Sequence, residues 1–166
     1  MGAERTLQNL QAAYAGESKA QVRNRFFAEI AEQEGYHQIG RLFRAVAEAE
    51  NVHARNALSL LGEVKSTEEN LRAAFEKEIL AKNQFYPRFI REAEEDGHRE
   101  AAKKFAQARD VEERHSQLYR RALSYLVNEE EVEYFVCLVC GYIAEGHPPE
   151  HCPICGAMTK FFRKVD

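Results

Sequence analysis

Residues 50–53 read Glu-Asn-Val-His, and residues 112–115 read Glu-Glu-Arg-His. Each stretch lies inside a run in which apolar residues recur every three or four positions, as in an amphipathic helix. Side chains three residues apart project from the same helical face, so each Glu-x-x-His motif presents a carboxylate and an imidazole on the apolar side. These polar groups need partners from other helices, and that requirement decides the fold.

Four helical patterns follow one another before the chain changes character. The predicted helices cover residues 4–34, 36–61, 67–96 and 98–127. Gly35, Gly62 and Gly97 mark their ends, and residues 66–69, Ser-Thr-Glu-Glu, have the sequence of a capping box. Pro87 lies inside the third pattern, where it predicts a kink or a local break.

The two helix pairs resemble each other in sequence. The Glu-x-x-His motifs are separated by 62 positions, and Glu17 and Glu78 by 61. Two similar helical hairpins pack most simply as a four-helix bundle with a pseudo-twofold axis. The sequence therefore predicts a mainly α fold over this part of the chain.

Each of the four apolar stripes carries one glutamate. The predicted inward glutamates are Glu17, Glu50, Glu78 and Glu112, and the histidines that accompany them are His53 and His115. Four carboxylates in a bundle core would repel one another, and each would be costly to desolvate. Two divalent cations would balance their charges, so the arrangement predicts a dinuclear metal site. Carboxylate and imidazole ligands suit iron, manganese or zinc, and they leave the choice open.

Three tyrosines fall close to these predicted ligands in sequence, namely Tyr14, Tyr86 and Tyr119. A buried tyrosine hydroxyl needs a hydrogen-bond partner, and a metal-bound carboxylate can provide one. We expect Tyr86 to contact a ligand in this way. Tyr14 and Tyr119 fit an ordinary aromatic core equally well.

The four cysteines are confined to a short C-terminal segment. They form two Cys-x-x-Cys pairs, Cys137 with Cys140 and Cys152 with Cys155. Thiolates packed this closely predict one tetrahedral iron or zinc site rather than a disulfide framework. An acidic linker precedes them, so we place a domain boundary near residue 131, between a bundle of residues 1–130 and a metal domain of residues 131–166.

Composition limits the functional classes. The 166 residues are 45% hydrophobic and 30% charged, with a net charge of −4 and no basic stripe that would suit nucleic acid. The chain has no apolar stretch of signal-peptide or membrane-spanning length. We therefore expect a cytoplasmic protein that binds neither nucleic acid nor membrane.

Together these motifs resemble the rubrerythrin family over essentially the whole chain. The resemblance is carried by residues 15–18, Ala-Gly-Glu-Ser, by the two Glu-x-x-His motifs, by residues 85–87, Phe-Tyr-Pro, and by the cysteine pairs. It implies a ferritin-like, carboxylate-bridged di-iron bundle fused to a small rubredoxin-like β/loop domain. The six Glu and His residues would hold two irons and the four cysteines one, with zinc possible in either site as isolated.

The resemblance also implies an activity. Members of this family are non-haem di-iron peroxidases that reduce hydrogen peroxide to water in oxidative-stress defence. NADH-linked electrons arrive from a reductase or rubredoxin through the Fe(Cys)4 centre. The family forms homodimers in which one chain's rubredoxin-like domain lies near the other chain's di-iron site. A ferroxidase or oxygen-reducing di-iron oxidase, and a non-catalytic metal-binding or storage protein, remain alternatives.

Two positions depart from the family pattern. Ala81 stands where the family usually has a second glutamate that exchanges with a histidine, and Asn24 replaces a tyrosine often found near the site. The remaining four-Glu, two-His set resembles bacterioferritin or oxidase-type centres. The preference between peroxide and dioxygen therefore stays open, as do the electron donor, the bound metal and any exchange of helices between subunits.

Overall fold

The computed structural model describes residues 2–124 and 131–166, with side chains from Glu4 onward. The described chain is mainly α-helical and ends in a small segment of strands and turns that bears the cysteines, as predicted. It divides into two compact units, unit 1 (Met1–Lys65) and unit 2 (Ser66–Asp166). Each unit is built around one pair of helical segments.

Unit 1 is a hairpin of two long helices, α1 (Gly2–Gln33) and α2 (His37–Leu60). Gly35, with φ +84°, reverses the chain between them. Small buried residues let the helices approach closely, and a Cβ on Gly40 would lie 2.9 Å from Cγ of Glu32. The residues buried along the hairpin include Ala28, Ala31, Ala47, Ala54 and Ala57.

Unit 2 begins with α3 (Thr67–Leu80), which starts at the predicted capping box between Ser66 and Glu69. A π-helical turn (Ala81–Phe85) follows, then α4 (Tyr86–Glu95) and α5 (Arg99–Ser124). The irregularity expected at Pro87 thus lies in the turn before it. Proline has no N–H to donate and its ring crowds the preceding turn; a widened turn accommodates it without ending the helical path.

The C-terminal segment of unit 2, residues 131–166, is the tetracysteine tail. Its strands β1 (Tyr134–Cys137), β2 (Ile143–Glu145) and β3 (Phe162–Val165) form an antiparallel sheet in the order β2-β1-β3. The Gly141 N–H donates to Cys137 O at 2.8 Å, and the Gly156 N–H donates to Cys152 O at 2.9 Å. Both glycines have positive φ, which turns each cysteine pair into a tight knuckle.

Some predictions fall outside the described residues. These are the end of the fourth helix at Val127 and the first half of the acidic linker of residues 128–133, which lie within residues 125–130. The division into residues 1–130 and 131–166 stays a prediction. Among the helices of the described residues, none is both long enough and apolar enough to cross a bilayer.

Candidate metal centres

The hairpin of unit 1 brings three of the predicted ligands together. Glu17 comes from α1, and Glu50 and His53 come from α2; one ligand atom from each lies within 4.8 Å of the others. The Nδ1 atom of His53 is 3.0 Å from Oε2 of Glu50, as expected for residues one helical turn apart. The imidazole of His53 is 59% exposed, whereas the Glu50 carboxylate is 21% exposed.

Unit 2 contains a second triad with the same composition. Glu78 comes from α3, and Glu112 and His115 come from α5, again with ligand atoms within 4.8 Å of one another. The Nδ1 atom of His115 lies 3.0 Å from Glu112 and 4.0 Å from Glu78. All three side chains are half-buried. The six predicted ligands therefore form two triads of two carboxylates and one imidazole, and their union in one dinuclear site stays a prediction.

The two carboxylates of the second triad favour the binding of a cation. Burial, together with a hydrogen bond to Glu112 and the charge of that residue, raises the pKa of Glu78 to about 8. Two half-buried carboxylates this close cannot both be ionised at low cost unless a positive charge lies between them. A metal ion bound among these side chains would supply that positive charge, and the oxygen and nitrogen donors fit iron, manganese or zinc.

Two tyrosines of unit 2 interact with the same carboxylates, Glu78 and Glu112. Burial, followed by the charge of Glu112 and a hydrogen bond to it, raises the pKa of Tyr86. Burial also raises the pKa of Tyr119, with smaller contributions from Glu78 and Glu112. Both phenols stay protonated at neutral pH. The hydroxyl of Tyr86 donates a hydrogen bond to the carboxylate of Glu112.

The position of the extra family glutamate brings no carboxylate to this triad. Ala81 begins the π-helical turn, and the next residue, Lys82, makes an ion pair with Glu113 of α5. In unit 1, the amide of Asn24 donates to Ala20 O at 2.9 Å within its own helix. Both departures from the family pattern thus leave the ligand set at two carboxylates and one histidine in each unit.

The outer nitrogen of His115 contacts the tetracysteine tail. Its Nε2 atom lies 3.2 Å from the carbonyl oxygen of Gly141. Its Nδ1 atom lies 3.0 Å from Oε2 of Glu112, so each ring nitrogen faces an oxygen that can only accept a hydrogen bond. A metal ion bound at Nδ1 would leave the ring proton on Nε2, where Gly141 O is placed to accept it. The tail therefore offers a partner for the tautomer that metal binding requires.

The four cysteine sulfurs are arranged as a tetrahedral site requires. Their Sγ atoms lie within 4.8 Å of one another, with 3.7 Å from Cys137 to Cys155 and 3.6 Å from Cys140 to Cys152. A tetrahedron with metal–sulfur bonds of about 2.3 Å has edges of about 3.8 Å, so the four free thiols fit iron or zinc closely.

The protein environment shifts the pKa values of these thiols in different directions. Burial would raise the pKa of Cys137, but backbone N–H groups of Val139 and Cys140 donate to its sulfur, and the pKa is lowered. Burial is the main cause that raises the pKa of Cys140 and of Cys155. A bound cation would supply the charge that keeps all four sulfurs as thiolates.

A group of contacts that the sequence did not predict joins the tail to α5. The Arg114 guanidinium donates to Ile143 O at 3.0 Å and to Glu145 at 2.9 Å, and Arg121 reaches the same carboxylate at 3.0 Å. The family resemblance implied a tail near the partner chain's site. In this chain the tail contacts α5 of its own unit.

Comparison with known proteins gives a consistent result. A family model described as rubrerythrin matches residues 8–123, and one described as the rubrerythrin rubredoxin-like domain matches residues 135–163. Nigerythrin from Nitratidesulfovibrio vulgaris is 35% identical over 90% of this chain and 81% of its own length. Rubrerythrin from Porphyromonas gingivalis is 36% identical over 97% of this chain and 90% of its own.

Solved structures of nigerythrin are also similar to this chain. One, described as the fully reduced, all-ferrous state, has a TM-score of 0.60 and 34% sequence identity, and the match covers 96% of this chain and 86% of that one. A mixed-valence structure has a TM-score of 0.59 at 35% identity. At 34–35% identity these structures are similar to the chain in sequence as well as in fold.

The raised pKa of Glu78 predicts that the stability of the metal-free protein depends on pH. Its pKa is raised to about 8 in the folded chain, well above the ordinary value of a glutamate carboxyl, so between that ordinary value and 8 the folded state holds a proton that the unfolded state releases. Thermal stability should therefore fall as pH rises from 5 to 8. Glu78→Gln should flatten this fall, and Glu76→Gln, on the exposed side of α3, should not. An equal slope in wild type and Glu78→Gln would contradict this assignment.

Proposed function

The chain belongs to the rubrerythrin family, and on that premise we propose that it is a non-haem di-iron peroxidase that reduces hydrogen peroxide to water. The observation that carries the proposal is the presence of two Glu-Glu-His triads and a tetracysteine site that contacts one of them through His115. The relatives supply the broader class, an iron-dependent oxidoreductase with ferritin-like and rubredoxin-like parts. The choice of peroxide as substrate is part of the proposal.

The charges of the two triads suit a pair of divalent ions. In our proposal the six side chains hold two irons, and the four carboxylates balance the four positive charges of the ferrous state. When bound, the irons supply the two electrons that cleave the oxygen–oxygen bond of peroxide, with two protons taken up and two waters released. The half-buried position of the unit 2 triad strengthens the attraction between its carboxylates and the metal.

Tyr86 supports this chemistry by holding a proton beside the site. Its hydroxyl donates to Glu112, and its pKa is raised by burial and by that carboxylate, so it stays protonated while the charge of the site changes. A hydrogen-bond donor on a ligand carboxylate fixes the orientation of that ligand and tempers its charge. We assign Tyr86 this role; Tyr119 is close enough to feel the charges of Glu78 and Glu112 as well.

The tetracysteine site serves as the electron inlet. The backbone N–H groups that lower the pKa of Cys137 also stabilise negative charge on its sulfur, which is how a protein raises the potential of an iron–sulfur site. We propose that a reductase or rubredoxin, ultimately linked to NADH, delivers electrons here one at a time. This supply would suit defence against peroxide inside the cell.

A di-iron ferroxidase or oxygen-reducing oxidase is the second candidate. Ala81 favours it, because the chain offers no glutamate at the position where the family's additional, exchanging ligand usually lies. The resulting ligand set is the same in both units. If that symmetry governs the chemistry, dioxygen rather than peroxide is the preferred oxidant.

We also propose that the protein is a homodimer. Val22, Phe26 and Ile30 are exposed along one stripe of α1. Phe26 lies nine residues after Glu17, which places it about half a turn around the helix axis from the predicted ligand. An apolar stripe on the side of α1 away from the ligand needs a cover of its own, and a second copy of the chain would provide one.

The reaction with peroxide is the direct test of the activity. Protein reduced under anaerobic conditions should turn from colourless to red within one turnover after a stoichiometric addition of peroxide, because the tail iron is oxidised as it replaces electrons spent on peroxide. An equal addition of dioxygen should act more slowly. Cys152→Ser should abolish reductase-driven peroxide turnover and leave the iron at the triads in place. Faster reaction with dioxygen than with peroxide would move the function to an oxidase or ferroxidase.

Dimerisation through α1 can be tested separately. Phe26→Asp places a charge in the middle of the exposed apolar stripe and should convert the dimer to a monomer in sedimentation equilibrium. Glu29→Asp, which keeps its charge on the same helix, should leave the mass unchanged. A dimer that survives Phe26→Asp would show that another surface joins the subunits.

A further inference from the structure

A π-helical turn separates the predicted ligand Glu78 from Tyr86. The turn (Ala81–Phe85) follows α3 directly, and Tyr86 then begins α4. A π turn closes with a hydrogen bond to the fifth preceding residue instead of the fourth, here from the N–H of Tyr86 to Ala81 O. It therefore takes up one residue more than an α turn for the same rotation around the helix axis.

This extra residue decides the direction of the Tyr86 side chain. Tyr86 comes eight residues after Glu78, and eight residues of unbroken α-helix make about 2.2 turns, which would leave the two side chains about 80° apart. With one residue absorbed in the π turn, the rotation equals that of seven residues, about 1.9 turns, and the two side chains project within about 20° of each other. Both then face α5, where Tyr86 donates to Glu112 and its ring centre lies 6.4 Å from that of Phe105.

Two features of this stretch favour the widened turn over an α turn. Pro87 has no N–H, so the hydrogen bond that an α-helix would make from residue 87 to Asn83 O is absent. The ring centre of Phe89, which lies on α4 after Tyr86, is 5.6 Å from that of Phe105, so α4 packs against α5 in the orientation that the turn gives it. An unbroken α-helix would rotate the rings of Tyr86 and Phe89 away from α5.

Lys82, the second residue of the turn, joins it to α5. Its ammonium makes an ion pair with Oε2 of Glu113, whose Oε1 accepts a hydrogen bond from Gln117 at 3.2 Å. Glu113 directly follows Glu112, so the pair meets α5 at the level of the triad. The Lys82 side chain is 32% exposed, and an ion pair of this kind adds little to the stability of the fold. Its effect is to fix which side of the turn faces α5.

We propose that the π-helical turn sets the register of the unit 2 triad, and that Lys82 is the positioning residue that keeps the turn in place. Through the turn, Tyr86 stays aligned with Glu78 and holds the Glu112 carboxylate in its orientation beside Glu78 and His115. Lys82 touches neither metal nor peroxide, and it acts through Tyr86. The inference rests on the metal site of the proposed function and is independent of the oxidant that the site uses.

Matched variants separate the ion pair from the rest of the site. Lys82→Met keeps much of the length of the side chain and removes its charge. The double variant Lys82→Glu with Glu113→Lys restores an ion pair with the charges reversed. The control is Arg72→Met, because Arg72 pairs with Glu68 one turn away on α3. Circular dichroism should show the same helix content in all of these proteins.

The first measurement follows the direction of Tyr86 and needs no turnover. In zinc-loaded protein with carbon-13-labelled tyrosine, wild type should show a nuclear Overhauser contact between the rings of Tyr86 and Phe105, and the Cζ shift of a hydrogen-bonded phenol. A spectrum of Tyr86→Phe assigns these signals. Lys82→Met should lose both, whereas Arg72→Met and the reversed pair should keep them. Unchanged Tyr86 signals in Lys82→Met, or signals that the reversed pair does not restore, would overturn the role of Lys82.

A deletion tests the register itself. Removing Asn83 takes out the extra residue, so the turn should close as an ordinary α-helix and Tyr86 should keep its contact with Phe105. Inserting one alanine after Asn83 should turn Tyr86 away from α5 and abolish that contact. Loss of the contact in the deletion variant, or its survival in the insertion variant, would show that the residue count does not set the direction of Tyr86 and would contradict the proposal.

Metal affinity at the helical ligands provides the second readout. Loss of a group that orients a ligand typically weakens metal binding about 10-fold to 100-fold. With the cysteine site already filled with zinc, cobalt titration against a competing chelator should show such a loss in Lys82→Met and in Tyr86→Phe, and none in Arg72→Met. Equal cobalt affinity in wild type and Lys82→Met would overturn the proposal. A wild-type protein that binds metal tightly but is inert to peroxide would overturn the proposed function instead.

Discussion

The structure depends on one electrostatic constraint, the cost of placing carboxylates on the inner faces of helices. In unit 2, Glu78 and Glu112 lie close enough that burial and mutual repulsion keep a proton on Glu78 near neutral pH. Such an arrangement is unfavourable unless a cation replaces that proton. The same constraint explains why the helices offer imidazoles beside the carboxylates, since a metal ion needs neutral donors once its charge is balanced.

The tail is organised around its four cysteines, and it contacts the unit 2 triad through His115. Few side chains of the tail are buried, Cys137, Ala144 and Cys152 among them, so a bound metal would supply much of what a hydrophobic core supplies in a larger domain. The knuckle formed by Cys137 and Cys140 also presents the carbonyl of Gly141 to Nε2 of His115. Arg114 joins the tail to α5 through Ile143 O and Glu145.

Much of this organisation could be predicted from the sequence because it is local. Glu-x-x-His spacing, the capping box at Ser66 and the cysteine pairs are all signals carried by a few neighbouring residues, and each appears in the structure as expected. The sequence predicted a kink or a local break at Pro87 but did not predict that it would take the form of a π-helical turn over Ala81–Phe85, because a widened turn depends on how the neighbouring helix packs. It also gave no sign that Arg114 would meet Glu145, a contact between residues 31 positions apart.

The union of the two triads in one dinuclear centre is the central claim, and magnetic spectroscopy tests it most directly. Protein carrying Cys152→Ser, loaded with two ferrous ions per chain and oxidised with peroxide, would be examined by electron paramagnetic resonance and Mössbauer spectroscopy. A carboxylate-bridged pair predicts two ferric ions that are coupled antiferromagnetically, with no paramagnetic signal and one diamagnetic Mössbauer pattern. A strong signal from isolated high-spin ferric ions, accounting for both irons, would show two separate mononuclear sites and contradict the account.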